Sequence, residues 1–183
     1  MNNIFEAKEL RNKEVLKTIP NNKPGYYKWW AKQSDIILLL EGLEVSFDEV
    51  KQYIEYKNGY YCIYIGIAAK ESIRNRLNWH INDRHTESRV KNGTLSTLRQ
   101  SISSIISHNQ YDKEYTNNFI DNLKVEYFTI EDEIKSVSAK EKLHSIEIES
   151  MSKYMYILNI MDNHFEYGQG IKNKLKALRK TSK

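Results

Sequence analysis

An α+β domain is the fold class that the sequence predicts, on three observations. Three stretches carry strand-type patterning: Tyr26 to Trp30, Tyr60 to Ile67 and Leu123 to Ile130. The segments around and between them place apolar residues at helical spacing. The length, 183 residues, suits one well-buried core and is too short for two catalytic-size domains joined by a linker.

The elements follow in chain order. Phe5, Leu10, Val15 and Leu16 among charges predict a helix over Phe5 to Leu16. Asn21, Asn22, Pro24 and Gly25 end it and turn the chain into the aromatic strand Tyr26 to Trp30. Ser46 and Glu49 have capping-box spacing, so Phe47 to Tyr56 is expected to be helical, with Asn58 and Gly59 as its stop. In Tyr60 to Ile67, strict alternation puts Tyr61, Ile63, Ile65 and Ile67 on one face, expected to be core. Tyr60, Cys62, Tyr64 and Gly66 fall on the other.

Ile73, Leu77 and Ile81 define a helix from about Glu71 to Asn82, and polar residues through Gly93 read as a loop. Leu95, Leu98, Ile102, Ile105 and Ile106 predict another amphipathic helix. After the third strand, Ser138 to Tyr154 reads as a helix, and Ile171, Leu175 and Leu178 mark a basic terminal one.

Composition excludes several classes. With 40% hydrophobic and 28% charged residues the chain is neither disordered nor a membrane protein, and its longest apolar run, Ile36 to Leu40, cannot span a bilayer. Asn2, Asn3, Glu6 and Lys8 interrupt any signal-peptide core. The single cysteine, Cys62, excludes an intramolecular disulfide and fits a reducing cytoplasm, the expected location. A net charge of +4 permits a polyanionic partner without requiring one. Basic residues gather at Arg74 to Arg99 and Lys172 to Lys183, whereas acidic ones are frequent from Glu126 to Glu149.

The residues with chemical potential fall in a telling order. Two tyrosine-bearing strands come first, then a helix with arginine and histidine four apart, then a distant helix carrying a carboxylate. Pro24-Gly25-Tyr26-Tyr27 resembles the Pro-Gly-(Ile/Val)-Tyr half of the GIY-YIG nuclease signature, and Tyr64-Ile65-Gly66 resembles its second half. Ile73 to His80 resembles the family's helix, in which an arginine before a leucine precedes a histidine by one turn. Glu147 stands twelve residues before Asn159 of the Leu158-Asn159 pair, about where the family carries its metal-binding glutamate. The resemblance spans roughly residues 24–163, with the N-terminal helix and the basic C-terminal helix appended to that core.

There are departures. Trp29 to Ile63 is longer than in the smallest members and should hold an insertion. Tyr156 replaces the proline before the Leu-Asn pair. Ile67 replaces a lysine for which Lys70 is the substitute, and Arg74 rivals Arg76 for the arginine role.

Helical geometry bears on two of these positions. Glu147 shares a stripe with Leu143, Met151 and Tyr154, so its carboxylate must meet a metal or a partner, whereas Glu149 lies among polar neighbours. Arg76 and His80 flank the Ile73, Leu77, Ile81 stripe and can enter one cleft, while Arg74 sits on its far edge. The plainer alternatives are a boundary glutamate paired with a base, a surface ion pair for Arg76, a satisfied boundary histidine, and packing roles for Tyr27 and Tyr64 among 13 tyrosines.

The resemblance implies a small central antiparallel three-stranded sheet flanked by helices, with an insertion between the first two core strands. It also implies hydrolysis of DNA phosphodiesters with one divalent ion, Mg²⁺, per active site. In that scheme Tyr27 is general base or water positioner, and His80 or Tyr64 is its relay. Arg76 stabilises the phosphorane, Glu147 is the metal ligand, and Asn159 orients the carboxylate or closes the site. Gly25 and Gly66 are expected to leave room for a phosphate.

Phosphate contacts are expected first from the basic loop with Arg84, Arg89 and Lys91, and from Arg74, Arg99 and Lys70. The insertion around residues 31–57 is the second candidate, and the terminal run Lys172 to Lys180 reads as a solvated helix end before a phosphate-binding arm. A chain of this length is expected to act alone on double-stranded DNA as a type II restriction-type enzyme, with a homodimer favoured if both strands are cut. The alternatives are a repair nuclease, a nucleic-acid-binding module without catalysis, and a small α+β protein whose tyrosines and glutamate are structural.

Overall fold

The computed structural model describes residues 3–160 and 165–183; Asn163, where the core is expected to end, lies outside them. Strand β2 (Gly25–Lys32) is the middle of a five-stranded antiparallel sheet. One neighbour is β4 (Tyr60–Ala68), which in turn pairs with the two-residue β3 (Tyr56–Lys57). The other is β5 (Lys124–Thr129), whose outer edge holds β1 (Ile4–Glu6). The three expected strands are thus the centre of the sheet, and the three-stranded expectation is corrected by two short edge strands. β1 arises where a helix beginning at Phe5 was expected. Ile4 to Glu6 covers the open edge of β5, Ala7–Arg11 forms a 3₁₀ helix within the expected helical stretch, and helix α1 (Lys13–Lys17) starts after Asn12, whose side chain accepts from the Glu14 amide at 2.9 Å.

The segment between the first two core strands does hold an inserted element. Helix α2 (Gln33–Gly42) buries Ile36, Leu39 and Leu40 completely, and α3 (Phe47–Val50) is shorter than its capping-box pattern implied. The insertion therefore extends the core, and β2, β4 and the later helix α6 all pack against α2. Beyond β4 come α4 (Ile73–Asn82), α5 (Glu87–Lys91), α6 (Thr97–Ile106) and α7 (Lys113–Asp121). Helices α8 (Val137–Lys153) and α9 (Glu166–Thr181) complete the chain. α5 and α7 were not anticipated. Each is short and capped by one side chain, Thr86 and Asp112, and one turn or two gives little periodicity to read.

One irregularity decides which tyrosine faces where. Trp29 pairs with Tyr64 but Trp30 pairs with Cys62, so Ile63 is an extra residue, a β-bulge in β4. A bulge inverts the alternation that follows. The expected single apolar face, Tyr61, Ile63, Ile65 and Ile67, is accordingly broken: Ile63, Tyr64 and Ala68 join the main core, while Cys62 and Ile65 join a smaller cluster with Trp30, Met151 and Tyr156 on the opposite face. The bulge thereby turns Tyr64 to the side of the sheet occupied by Tyr27 and Trp29.

Arg99 supplies a second correction. It is completely buried in α6, where a DNA contact was expected. Its Nε donates to the His80 carbonyl at 2.6 Å, Nη2 to the Ile81 carbonyl at 2.6 Å and Nη1 to Asn117 Oδ1 at 2.9 Å. The last carbonyls of a helix lack intrahelical partners, and Arg99 satisfies two of them for α4. Arg99→Ala should therefore destabilise the fold by about 3 kcal/mol, because the buried His80 carbonyl loses its side-chain donor and the Ile81 carbonyl keeps only that of Arg11 at 3.0 Å. For a chain of this size that lowers Tm by about 6–12 °C, measurable by calorimetry.

Candidate active site

Two strands and two helices deliver the site. Tyr27 on β2 lies directly opposite Gly66 on β4. A methyl group on residue 66 would stand 2.5 Å from Tyr27 Oη and 2.6 Å from Cζ, so glycine is required there by the Tyr27 ring itself. This replaces the expectation that Gly66 leaves room for a phosphate. Gly25 is packed still more tightly, against the backbone carbonyl of Phe128.

On α4, capped by Ser72 through the Asn75 amide at 3.2 Å, Ile73, Leu77 and Ile81 are completely buried. That placement turns the edge carrying Arg76 and His80 towards the tyrosines. The Tyr27 hydroxyl and His80 Nε2 are 2.6 Å apart, and the ring centres of Tyr27, Tyr64 and His80 lie between 5.2 and 6.3 Å from one another.

Tyr27, Tyr64, Gly66, Arg76, His80, Glu147 and Asn159 line one cavity of about 210 Å³. Trp79, Thr97, Ile67 and Ile160 complete its wall. The structure thus brings together all six residues singled out for chemistry. Arg76 pairs with Glu71 at 2.9 Å and its guanidinium carbon sits 5.0 Å from the centre of the Trp79 ring, a cation–π arrangement. The two arginines differ in position: Arg76 lines the cavity, whereas Arg74 donates to the carbonyls of Ile19 and Lys17, at 2.5 and 2.6 Å, and ties the N-terminal segment to α4. Asn159 uses its side-chain amide as a strand would, accepting from the Ile65 amide at 3.0 Å and donating to the Ile65 carbonyl at 2.8 Å. Tyr156, in place of the family's proline, serves the opposite face of the sheet, where its hydroxyl donates to Glu55 at 2.8 Å.

Burial dominates the electrostatics. Desolvation holds the Tyr27 phenol well above its ordinary value, with the Tyr64 phenol adding to the rise and the Arg76 charge opposing it. Tyr64 is pushed up to about 12 by burial and then by the Glu147 charge. Burial, followed by Arg76 and Arg99, holds His80 well below the usual histidine range. At neutral pH both phenols are protonated and His80 is neutral. A phenol beside a neutral imidazole donates to Nε2 when the ring proton is on Nδ1, and Nδ1 has no hydrogen-bond partner among the described residues.

The donor set suits one hard cation. Glu147, on α8, is the carboxylate lining the cavity, and its charge acts on both buried phenols. No cluster of three or more acidic, histidine or cysteine side chains exists among the described residues. A single carboxylate could hold a hard divalent cation that keeps most of its ligands as water and substrate oxygens. Glu149 instead pairs with Lys153 at 2.6 Å on the exposed side of α8.

The residues expected to contact phosphates lie elsewhere. Arg84, Lys70 and Lys91 are exposed; Lys91 stands 3.5 Å from Glu87, and Arg89 pairs with Asp83 at 2.9 Å. Trp79, Thr97 and Ile160 were not singled out. Trp79 had a readable signal, three residues after Arg76 and so able to stack on it across one helical turn.

Comparison with known protein families gives a match to the GIY-YIG catalytic domain over residues 25–181. Neither curated proteins nor solved structures yielded a match. No helix among the described residues is long and apolar enough to cross a membrane. The matched span contains β2, β4, α4, α6 and α8, the strands and helices that line the cavity, and the chain belongs to the GIY-YIG catalytic domain family, a family of nucleases.

Proposed function

We propose that this chain is a Mg²⁺-dependent endonuclease that hydrolyses phosphodiester bonds of double-stranded DNA, acting in the cytoplasm as a type II restriction-type enzyme. The observation that carries the reading is the 2.6 Å contact between Tyr27 Oη and His80 Nε2 in a cavity that also holds Arg76 and Glu147. It supplies a proton path that a buried, protonated phenol needs. A water attacking phosphorus gives its proton to Tyr27 Oη as Tyr27 passes its own to His80 Nε2, so no free phenolate forms. Arg76, whose guanidinium carbon lies 5.0 Å from the centre of the Trp79 ring, stabilises charge on the phosphoryl oxygens. Glu147 would hold the divalent ion, whose chemistry when bound is to stabilise charge on the departing 3′ oxygen. Asn159 fixes the Leu158-Asn159 segment against β4 and so sets that side of the cavity.

A restriction role is favoured by the insertion between β2 and β4, which places extra structure within the catalytic domain. A two-fold dimer would let two such sites cut both strands. The test is digestion of plasmids of known sequence with Mg²⁺. Discrete fragments with defined ends are expected. Random nicking would favour a repair or degradative nuclease, and salt-sensitive binding without hydrolysis would favour a binding module.

A further inference from the structure

A second cavity, of about 390 Å³, opens beside the first, and Ile160 lines both. Its other walls are Gln100 of α6 and Lys176, Arg179, Lys180 and Lys183 at the end of α9. Four cationic side chains converge there, and none has an ion-pair partner among the described residues. By contrast, the cations of the loop that sequence reasoning favoured are partly neutralised, Arg89 by Asp83 and Lys91 by Glu87.

This end of α9 is a docked element rather than a loose arm. Ile171 and Leu175 are buried in the core. Gln110 donates from its side chain to the Arg179 carbonyl at 2.7 Å and from its backbone amide to the Ser182 carbonyl at 2.9 Å, and Ser182 donates to Ser104 at 2.8 Å. Arg179 is half-buried and hydrogen-bonds Gln100, which is itself buried and anchored to the carbonyls of Gly93 and Leu95. Favourable interaction with the helix dipole accounts for basic residues in a last turn. It does not account for Lys176, or for a concave wall shared with the catalytic cavity. The Arg179 charge also acts on Tyr64, which ties the two cavities electrostatically.

We infer that this groove is a backbone-phosphate subsite: it holds the DNA strand next to the scissile phosphate, with Lys176, Arg179 and Lys180 as phosphate ligands and Ile160 as the divide between the two phosphates. The inference rests on the nuclease reading above. Sequence-independent phosphate contacts of this kind fix the register of a strand without reading bases.

The test is binding of a labelled duplex, in EDTA to prevent hydrolysis, across a salt series. Lys176→Ala/Lys180→Ala is compared with wild type and with Lys8→Ala/Lys13→Ala, which removes equal charge from exposed positions near the other end of the chain. Removing two phosphate contacts should weaken binding by about tenfold and reduce the slope of log affinity against log salt by about 2. The Lys8/Lys13 variant should match wild type. If wild type binds and cuts DNA while Lys176→Ala/Lys180→Ala keeps its affinity and slope, or if both variants lose equally, the subsite is refuted and the nuclease reading stands. If wild type does not bind DNA with salt dependence, both fail.

Discussion

Glu147→Gln is expected to reduce Mg²⁺-dependent cleavage by about 10³-fold or more, with DNA affinity measured in EDTA unchanged within about twofold. Glutamine keeps the size of the side chain and removes its charge. Because Glu147 is half-buried at the cavity wall on a long, well-formed helix, the substitution should leave the fold intact. The loss should appear in kcat rather than in binding, since charge at the departing oxygen develops only in the transition state. Glu149→Gln, on the exposed face of the same helix, serves as the control and should cut normally. A Glu147→Gln enzyme that retains full activity would remove the metal assignment.

Tyr27→Phe should lower cleavage by about 10²- to 10⁴-fold, the range of one positioned acid–base group, without unfolding the protein. The phenyl ring still fills the space opposite Gly66, and only the hydroxyl bonded to His80 is lost. The pH profile of the wild-type enzyme provides the accompanying check. His80 is held below its ordinary 6.5, so in the folded protein it stays neutral as pH falls through that value. The acid limb of kcat/KM should therefore lie below pH 6.5, and ionisation of Tyr27, whose value is raised, should produce no gain in rate up to pH 9. A rate that climbs tenfold per pH unit between 7 and 9 would instead indicate a phenolate base.

Much of the site was legible in the sequence because it lies on elements with strong local patterns. Arg76 and His80 flank an unambiguous helical stripe, and Glu147 was separable from Glu149 by helix face alone. What was not legible depended on tertiary context. The bulge at Ile63 leaves no mark on hydrophobic alternation, yet it decides the side of the sheet on which Tyr64 lies. Gly66 read as space for a ligand because a sequence does not reveal which ring will fill it. Arg99 read as a surface cation because basic residues are usually exposed; its burial follows from the end of α4, whose carbonyls need donors. Conversely, the terminal lysines read as solvated helix until packing against α6 put them beside the cavity.

The account depends on convergence of Tyr27, His80, Arg76 and Glu147 on one reacting phosphate. Incubating the purified chain with supercoiled plasmid and Mg²⁺, against the same mixture with EDTA, tests it most directly. Conversion of the plasmid to nicked or linear products only in the presence of the metal is the predicted result. Intact plasmid under both conditions, with DNA bound by the same protein, would contradict it.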